Sequence, residues 1–315
     1  MSHNYPIENI KKRKILVVGD LMVDRYWFGR VDRISPEAPV PVVHVKKNEN
    51  RLGGAANVAS NVVSLGAQVS LVGIVGDDEP AKILKNLCEE HSISHHFISD
   101  NTSETTIKMR VLGGQQQLIR IDFEKFPSDQ KAQELNQKTK ELIKAHDLVV
   151  FSDYRKGALK YIEDMIVFAK ANCIQVLVDP KGADYSKYSG ASLITPNRAE
   201  MELAVGHWDS EESLLLKANA LREAHDIDAI LVTRSELGMT LFDRNGRTHQ
   251  NAQAKEVFDV SGAGDTVLAT LAVTRAAGLE WSEAINWANK AGGIVVGKLG
   301  TSTVSSEEIM HYHDL

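Results

Sequence analysis

Short apolar runs rich in β-branched residues alternate along this chain with amphipathic stretches of helical spacing. The strand-like runs cover residues 15–18, 69–75, 148–151, 176–178, 193–195 and 230–233. The helix-like stretches cover residues 55–65, 130–145, 159–171, 211–224, 267–277 and 283–296. This alternation is typical of βαβ units, in which helices cover a mainly parallel sheet. The pattern therefore predicts an α/β fold.

The length of 315 residues allows one large α/β domain or two smaller ones. A formal net charge of -6 leaves no basic excess to hold a phosphate backbone, so we expect no nucleic-acid partner. We also expect no membrane partner, because no apolar run approaches the roughly 18 residues that span a bilayer. Cys88 and Cys173 lie in apolar surroundings and are predicted to be buried free thiols, which fits a cytoplasmic location.

A second, smaller sheet is predicted outside this alternation. Residues 105–112 and 115–123 alternate polar and apolar side chains around a pair of glycines, which indicates a β-hairpin. Residues 40–46 also have the pattern of a strand, and the prolines beside them suit an edge. We expect these strands to serve as a lid, a dimer surface or both. The lid segments are placed at about 34–50 and 104–123.

Acidic residues follow three of the predicted strands directly. They are Asp20, Asp153 and Asp179. Because ligands of open parallel sheets bind outside the carboxyl ends of the strands, these side chains are expected at a common rim. For any one of them, helix capping or turn formation is an equally good explanation. Taken with Asp265, the three acids favour a site that binds sugar hydroxyls.

The segment 259–266 combines small residues with an acid at the start of a predicted helix. Gly262, Ala263 and Gly264 let backbone amides converge on an anion, and the helix dipole favours negative charge there. A phosphate would repel Asp265 unless this carboxylate takes a proton from a hydroxyl that attacks the phosphate. The segment therefore predicts phosphoryl transfer to an alcohol.

Two other helix starts have the pattern of ligand sites. Gly53 and Gly54 allow a ligand to approach closely ahead of Asn57, although a plain glycine-rich helix start is the alternative. Asn197 and Glu200 lie three residues apart and would suit a hydrated Mg²⁺, although a capping box explains them slightly better when they are considered alone. Residues 292–299 resemble a Walker A loop but continue a helical pattern, so we predict no P-loop there.

Together these residues make the chain resemble the ribokinase-like (PfkB) carbohydrate kinases. Residues 53–57 and 259–266 match the two signatures of that family, in the family's order. Longer segments, among them residues 19–27, 33–42 and 298–303, are similar to the branch that phosphorylates a heptose 7-phosphate. The resemblance covers about residues 12–306.

The resemblance implies a single domain over residues 1–315, folded as a three-layer α/β/α sandwich with a small β-strand lid. The reaction would transfer the γ-phosphate of ATP to the C1 hydroxyl of D-glycero-β-D-manno-heptose 7-phosphate, on the route to ADP-heptose for the lipopolysaccharide inner core. A homodimer through the lid is expected. No adenylyltransferase domain is expected, and whether the chain is an excised domain stays open.

The resemblance also implies roles for individual residues. Asp265 would be the catalytic base, and Gly262, Ala263 and Gly264 would form the anion hole. Asn197 and Glu200 would hold Mg²⁺ through water, and a monovalent cation is left open as a second cofactor. The nucleotide would contact Asn197, Arg198, Ala199, Glu200, Thr233, Ser235, Gly238 and Asn289. The sugar phosphate would contact Asp20, Gly53, Gly54, Asn57 and Asp153. From the residues themselves, the candidate cations for the 7-phosphate are Arg33, Lys108, Arg110, Arg120 and Lys156. A solvated surface charge is the better explanation for any one of them, but at least one of the set is expected to reach the phosphate.

Two other functions stay open from the sequence. One is a ribokinase-like kinase for another sugar phosphate or a nucleoside. The other is a sugar or nucleotide sensor without catalysis, against which the intact Asp265 argues.

Overall fold

The computed structural model describes residues 5–114, 116–254 and 256–312. Within these ranges nine strands form one sheet, in which seven neighbouring strands run parallel and the last two form an antiparallel hairpin at one edge. From that edge the strands are β13 (Gly246–Gln250), β12 (Met239–Asp243), β11 (Ala229–Thr233), β10 (Leu193–Ile194), β9 (Gln175–Asp179), β8 (Leu148–Ser152), β1 (Lys14–Gly19), β4 (Gln68–Val75) and β5 (Ser94–Ser99).

Helices pack on both faces of this sheet. On β1, Ile15 and Val17 point into one apolar cluster and Leu16 and Val18 into the other, and all four are fully buried. The first face holds α1 (Ile7–Ile10), α2 (Ala55–Ser64), α3 (Glu79–Glu90), α8 (Ala263–Ala276), α9 (Trp281–Val295) and α10 (Ser306–His311). The second face holds α4 (Asp129–Ile143), α5 (Ile162–Ala171), α6 (Arg198–Val205) and α7 (Glu211–Ala224). Burial on both faces explains the continuous apolar runs, and the predicted three-layer sandwich is confirmed.

A separate four-stranded sheet forms the lid. Its order is β3 (Pro41–Gly54), β2 (Leu21–Ile34), β6 (Glu104–Gly113) and β7 (Gln116–Lys125). β2 pairs with β3 antiparallel and with β6 parallel, and β6 and β7 form the predicted hairpin, whose residue Gln115 lies outside the described ranges. Only Asp20 separates β1 from β2, so this lid strand leaves the main sheet directly at its carboxyl edge.

The sequence missed or misplaced several features. It did not identify β2, α3, β5 or the β12–β13 hairpin. The prediction that Cys173 is buried was wrong, because this residue lies in the turn after α5 and is exposed, whereas Cys88 is buried as expected.

Gly292 and Gly293 lie inside α9, which agrees with the absence of a P-loop at that position. None of the helices in the described ranges combines the length and apolar character needed to cross a bilayer.

Candidate active site

The parallel sheet brings the predicted acids together at its carboxyl edge. Gly19 pairs with Ser152 and Ser152 with Asp179, so β1, β8 and β9 end side by side. Asp20 follows the first of these strands and Asp153 the second. The predicted common rim is therefore present in the fold.

Asp265 lies in the first turn of α8 and is only 4% exposed. Asn57 Nδ2 donates to its Oδ2 at 2.7 Å, and the Tyr154 hydroxyl donates to its Oδ1 at 2.9 Å. Burial raises the pKa of Asp265 to about 6, although both hydrogen bonds act to lower it. A carboxylate with this pKa is ionised at neutral pH and can still accept a proton.

The acids after β1 and β8 are engaged with the protein itself. Asp20 accepts hydrogen bonds from the backbone amides of Tyr154, Lys156 and Ala158 at 2.8 to 3.1 Å. Asp153 accepts from the Arg155 amide at 2.7 Å, and its other oxygen binds Lys187 Nζ and the Tyr188 hydroxyl. These contacts make both acids supports of the loop after β8, and their predicted contacts with a sugar stay predictions.

Asp24 is a buried acid whose place in the site the sequence did not indicate. It lies on β2, is 3% exposed and binds Arg110 Nη1 at 2.5 Å. Its negative charge acts to raise the pKa of Asp265, which places it beside the base. Gly53 packs against it, since a Cβ on Gly53 would lie 2.7 Å from Asp24 Oδ2. The sequence analysis selected acids that directly follow a predicted strand. Asp24 lies within β2 and not at its end, so it was not selected.

Three of the predicted cations share the lid face that looks onto the site. Lys108 Nζ lies 4.7 Å from the centre of the Tyr154 ring, and Arg110 pairs across the strands with Arg120. Burial lowers the pKa of Lys108. Arg120 binds the adjacent Asp122 through two nitrogens, at 2.9 and 3.0 Å.

The other two predicted cations are placed differently. Lys156 pairs with Glu124 on β7, which links the loop after β8 to the lid. Arg33 lies nine residues beyond Asp24 on β2, about 30 Å away along an extended strand. Within one chain, Arg33 therefore lies too far away to join Asp24, Lys108 and Arg110 at the site.

A cleft of about 720 Å³ lies on the other side of the α8 N-terminus. Asn197 forms a bridge with Thr233, so α6 begins beside the end of β11. Of the residues predicted to contact a nucleotide, Glu200 is the exception that does not line the cleft. Those that do are Asn197, Arg198, Ala199, Thr233, Ser235, Gly238 and Asn289, together with Ala263 and Gly264 of the predicted anion hole.

Asn197 and Glu200 form the capping box that the sequence left as the alternative. Each side chain accepts the backbone amide of the other residue at 3.0 Å, and Lys181 Nζ binds the second Glu200 oxygen at 2.5 Å. Burial raises the pKa of Asp179 well above its usual range, and the negative charges of Asp265 and Glu200 add to the effect. Within the described ranges, no three acidic, His or Cys side chains converge closely enough to ligate an ion directly. The Glu200 carboxylate, whose oxygens accept from the Asn197 amide and from Lys181, would therefore reach a divalent cation only through water.

Two glycines of the predicted anion hole, Gly262 and Gly264, lie at the start of α8 and differ in their surroundings. Gly262 has φ 77°, and a Cβ there would lie 2.8 Å from Asn57 Nδ2. The Ala263 amide already donates to the Val260 carbonyl at 3.2 Å. Gly264 lies inside α8, and an added Cβ would meet no protein atom within 4 Å because it would project into the cleft. Contacts within the protein thus explain why residue 262 is a glycine, but they do not explain the glycine at 264.

A buried carboxylate in the first turn of a helix therefore lies between a large cleft and a cluster of acidic and basic side chains under a β lid. This geometry is that of an enzyme which transfers a phosphoryl group to an alcohol. The chain belongs to the pfkB family of carbohydrate kinases, whose profile matches residues 12–309.

The chain is similar to two kinds of named relative over most of its length. The D-beta-D-heptose 7-phosphate kinase of Bordetella bronchiseptica is 56% identical over 307 residues, which cover 98% of each chain. The bifunctional protein HldE of a Shewanella strain is 51% identical over 301 residues, or 95% of this chain. The chain spans 63% of the length of that bifunctional relative.

Solved structures share the fold at low sequence identity. Escherichia coli phosphofructokinase-2 in complex with potassium matches with a TM-score of 0.81 at 16% identity, covering 94% of this chain and 96% of that one. Arabidopsis thaliana ribokinase with ribose and ATP matches with a TM-score of 0.77 at 18% identity, covering 96% and 99%. The predicted ribokinase-like fold is confirmed.

The substitution Gly264→Ala separates folding from phosphate binding. Alanine has the better helix propensity and meets no protein atom, so unfolding experiments should show stability unchanged or raised by up to about 1 kcal/mol. Because the added methyl group enters the cleft where an amide would face phosphate, kcat/KM should fall by about tenfold or more in steady-state assays. A stable variant with full activity would remove Gly264 from the phosphate contact.

Proposed function

We propose that this protein transfers the γ-phosphate of ATP to the C1 hydroxyl of D-glycero-β-D-manno-heptose 7-phosphate, giving the 1,7-bisphosphate for ADP-heptose and lipopolysaccharide synthesis. The observation that supports it most is the buried Asp265 carboxylate, which lies at the start of α8 between the cleft and the charged side chains of the lid. The choice of sugar is supported by the relative of 56% identity, which is a D-beta-D-heptose 7-phosphate kinase.

In this mechanism Asp265 accepts the proton of the acceptor hydroxyl. The acceptor oxygen forms a bond to the γ-phosphorus as the bond from that phosphorus to the bridging oxygen breaks, and the electron pair leaves with ADP. Amides of Gly262, Ala263 and Gly264 face the charge that develops on the phosphoryl group. Ala263 can contribute only by sharing the amide that now binds Val260.

Mg²⁺ is proposed to accompany ATP, with Asn197 and Glu200 holding its water ligands. When bound, the ion neutralises phosphate charge. Glu200 would supply negative charge for it, and a bound cation would favour the ionised form of Asp179, whose pKa burial raises well above its usual range. A monovalent cation stays a proposal, since potassium is named for the phosphofructokinase-2 structure only. The two free cysteines suit the reducing cytoplasm, where we place the protein.

The proposed 7-phosphate site is the pair Arg110 and Arg120. Like charges directly opposite each other on two strands are unfavourable, and here Asp24 and Asp122 compensate them. Lys108 lies beside the catalytic centre, and Arg110 lies two residues further along β6, about 7 Å towards the tip of the lid. A sugar whose C1 lies at Asp265 would extend its far end in this direction. Arg120 is half-exposed and can leave Asp122 for a phosphate.

The proposed homodimer would use the opposite face of the lid. Every residue of β7 is exposed, and Ile119, Ile121 and Phe123 present 38 to 54% of their surface to solvent. The β6 residues opposite them are apolar as well, but Met109 and Val111 are buried, so the exposed apolar side chains are those of β7. Three exposed apolar side chains on one edge strand suit an interaction surface.

The reaction is tested by incubating the enzyme with ATP and a panel of sugar phosphates and following the products by phosphorus NMR. We expect the heptose 7-phosphate to be phosphorylated at C1 in preference to hexose phosphates, and Asp265→Asn to lower kcat by about 10²- to 10⁴-fold. Because the base must be ionised, kcat/KM of the native enzyme should fall as the pH drops through about 6. A native-like rate for Asp265→Asn would refute the assignment of the base.

The 7-phosphate site is tested by Arg120→Gln. Loss of a charge-assisted contact should raise KM for the sugar phosphate by about tenfold and leave KM for ATP unchanged. Arg244→Gln, at an exposed arginine in the β12–β13 turn, is the matched control and should change neither. Equal effects of Arg120→Gln on both substrates would contradict the assignment.

The dimer is tested by sedimentation of Ile121→Glu. A buried, unpaired charge in the interface should convert a native dimer to monomers at micromolar concentration. Leu216→Glu, on the exposed surface of α7, should leave the assembly unchanged. A native protein that sediments as a monomer would exclude this use of the lid.

A further inference from the structure

Tyr154 contacts the proposed base, although the proposed phosphoryl transfer assigns it no role. Its hydroxyl donates to Asp265 Oδ1 at 2.9 Å, opposite the Asn57 amide on Oδ2. Each oxygen of the carboxylate is thus held by one donor. Burial raises the pKa of Tyr154 well above its usual range, so the hydroxyl keeps its proton throughout the working pH range.

The loop that presents Tyr154 is held in an unfavourable backbone conformation. Arg155 has φ 56° in the left-handed region, which a residue other than glycine rarely adopts. Two carboxylates hold the loop in this form: Asp20 binds the amides on either side of Arg155, and Asp153 binds the amide of Arg155 itself. Strain that surrounding contacts maintain beside a catalytic group indicates a functional constraint.

We propose that Tyr154 is a positioning residue, whose hydroxyl orients the Asp265 carboxylate and sets the pH range in which it accepts a proton. The inference rests on the proposed function of Asp265 as the base. A donor to the charged form of a carboxyl group favours that form, so the hydroxyl opposes the effect of burial on Asp265. Asp20 and Asp153 then act through the loop by fixing Tyr154.

The substitution Tyr154→Phe isolates this hydroxyl. Phenylalanine keeps the ring on which Lys108 packs. The other charged or polar groups that face Asp265 remain in place. They are Asn57 on α2, Asp24 and Lys108 on the lid, and Asp179 at the end of β9.

The experiment is a carboxyl titration by NMR of protein labelled with ¹³C-aspartate, in which Asp265 is identified by the signal lost in Asp265→Asn. We expect Tyr154→Phe to raise the pKa of Asp265 by about one unit, and the acid limb of kcat/KM to move by the same amount. Tyr161→Phe, which removes an exposed hydroxyl bond to Asp129, is the matched control and should move neither.

An unchanged Asp265 titration in Tyr154→Phe would overturn the proposal. So would a loss of activity with no shift of the acid limb, since packing alone would then explain Tyr154. The titration needs no turnover. If the native protein phosphorylates no sugar phosphate, the proposed function is refuted, whereas the effect of the Tyr154 hydroxyl on the Asp265 carboxylate is still decided by the titration.

Discussion

The contact between α2 and α8 determines where the base lies, and the rest of the site is arranged around it. Asn57 binds Asp265, and one turn further along α2, Asn61 accepts the Thr266 hydroxyl at 3.0 Å. Both contacts are buried, and leaving such groups unpaired is costly, so the two bonds favour one register between the helices. Because α2 directly follows β3 of the lid and α8 follows the loop that ends at Gly262, this helix pair fixes the lid relative to that loop.

The site concentrates five acidic side chains that ordinary folding would keep apart. Most have partners inside the protein: backbone amides hold Asp20, a guanidinium holds Asp24, and an ammonium and a phenol hold Asp153. Burial raises the pKa of Asp179 well above its usual range, and repulsion by the negative charge of Asp265 adds to the effect. A substrate complex that brings a hydrated cation to this edge would relieve the repulsion. The concentration of acids at this edge is therefore better explained by the binding of ligands than by a contribution to the stability of the fold.

The sequence predicted the central sheet because burial on both faces leaves a simple apolar run. It missed β2, whose first half is buried and whose second half is exposed, so no single periodicity describes the strand. It placed acids at strand ends but could not show what they bind, because Asp20 contacts amides 134 to 138 positions away in the chain. Tyr154 directly follows the predicted strand-end acid Asp153, yet its bond to Asp265 spans 111 positions of the chain. Only local pairs, such as the capping box at Asn197, could be proposed as contacts from spacing.

The lid is linked to the phosphate side through Arg51 of β3. Its Nη1 donates to the carbonyls of Leu299 and Thr301 at 2.6 and 3.3 Å, and the Thr301 amide donates to the Tyr26 hydroxyl. Thr301 in turn packs against Gly262, since a Cβ there would lie 3.4 Å from Thr301 Cγ2. Any displacement of β3 therefore acts on the loop before α8. A kinase benefits from this link, because transfer to water is avoided when the phosphate site is complete only with the acceptor in place.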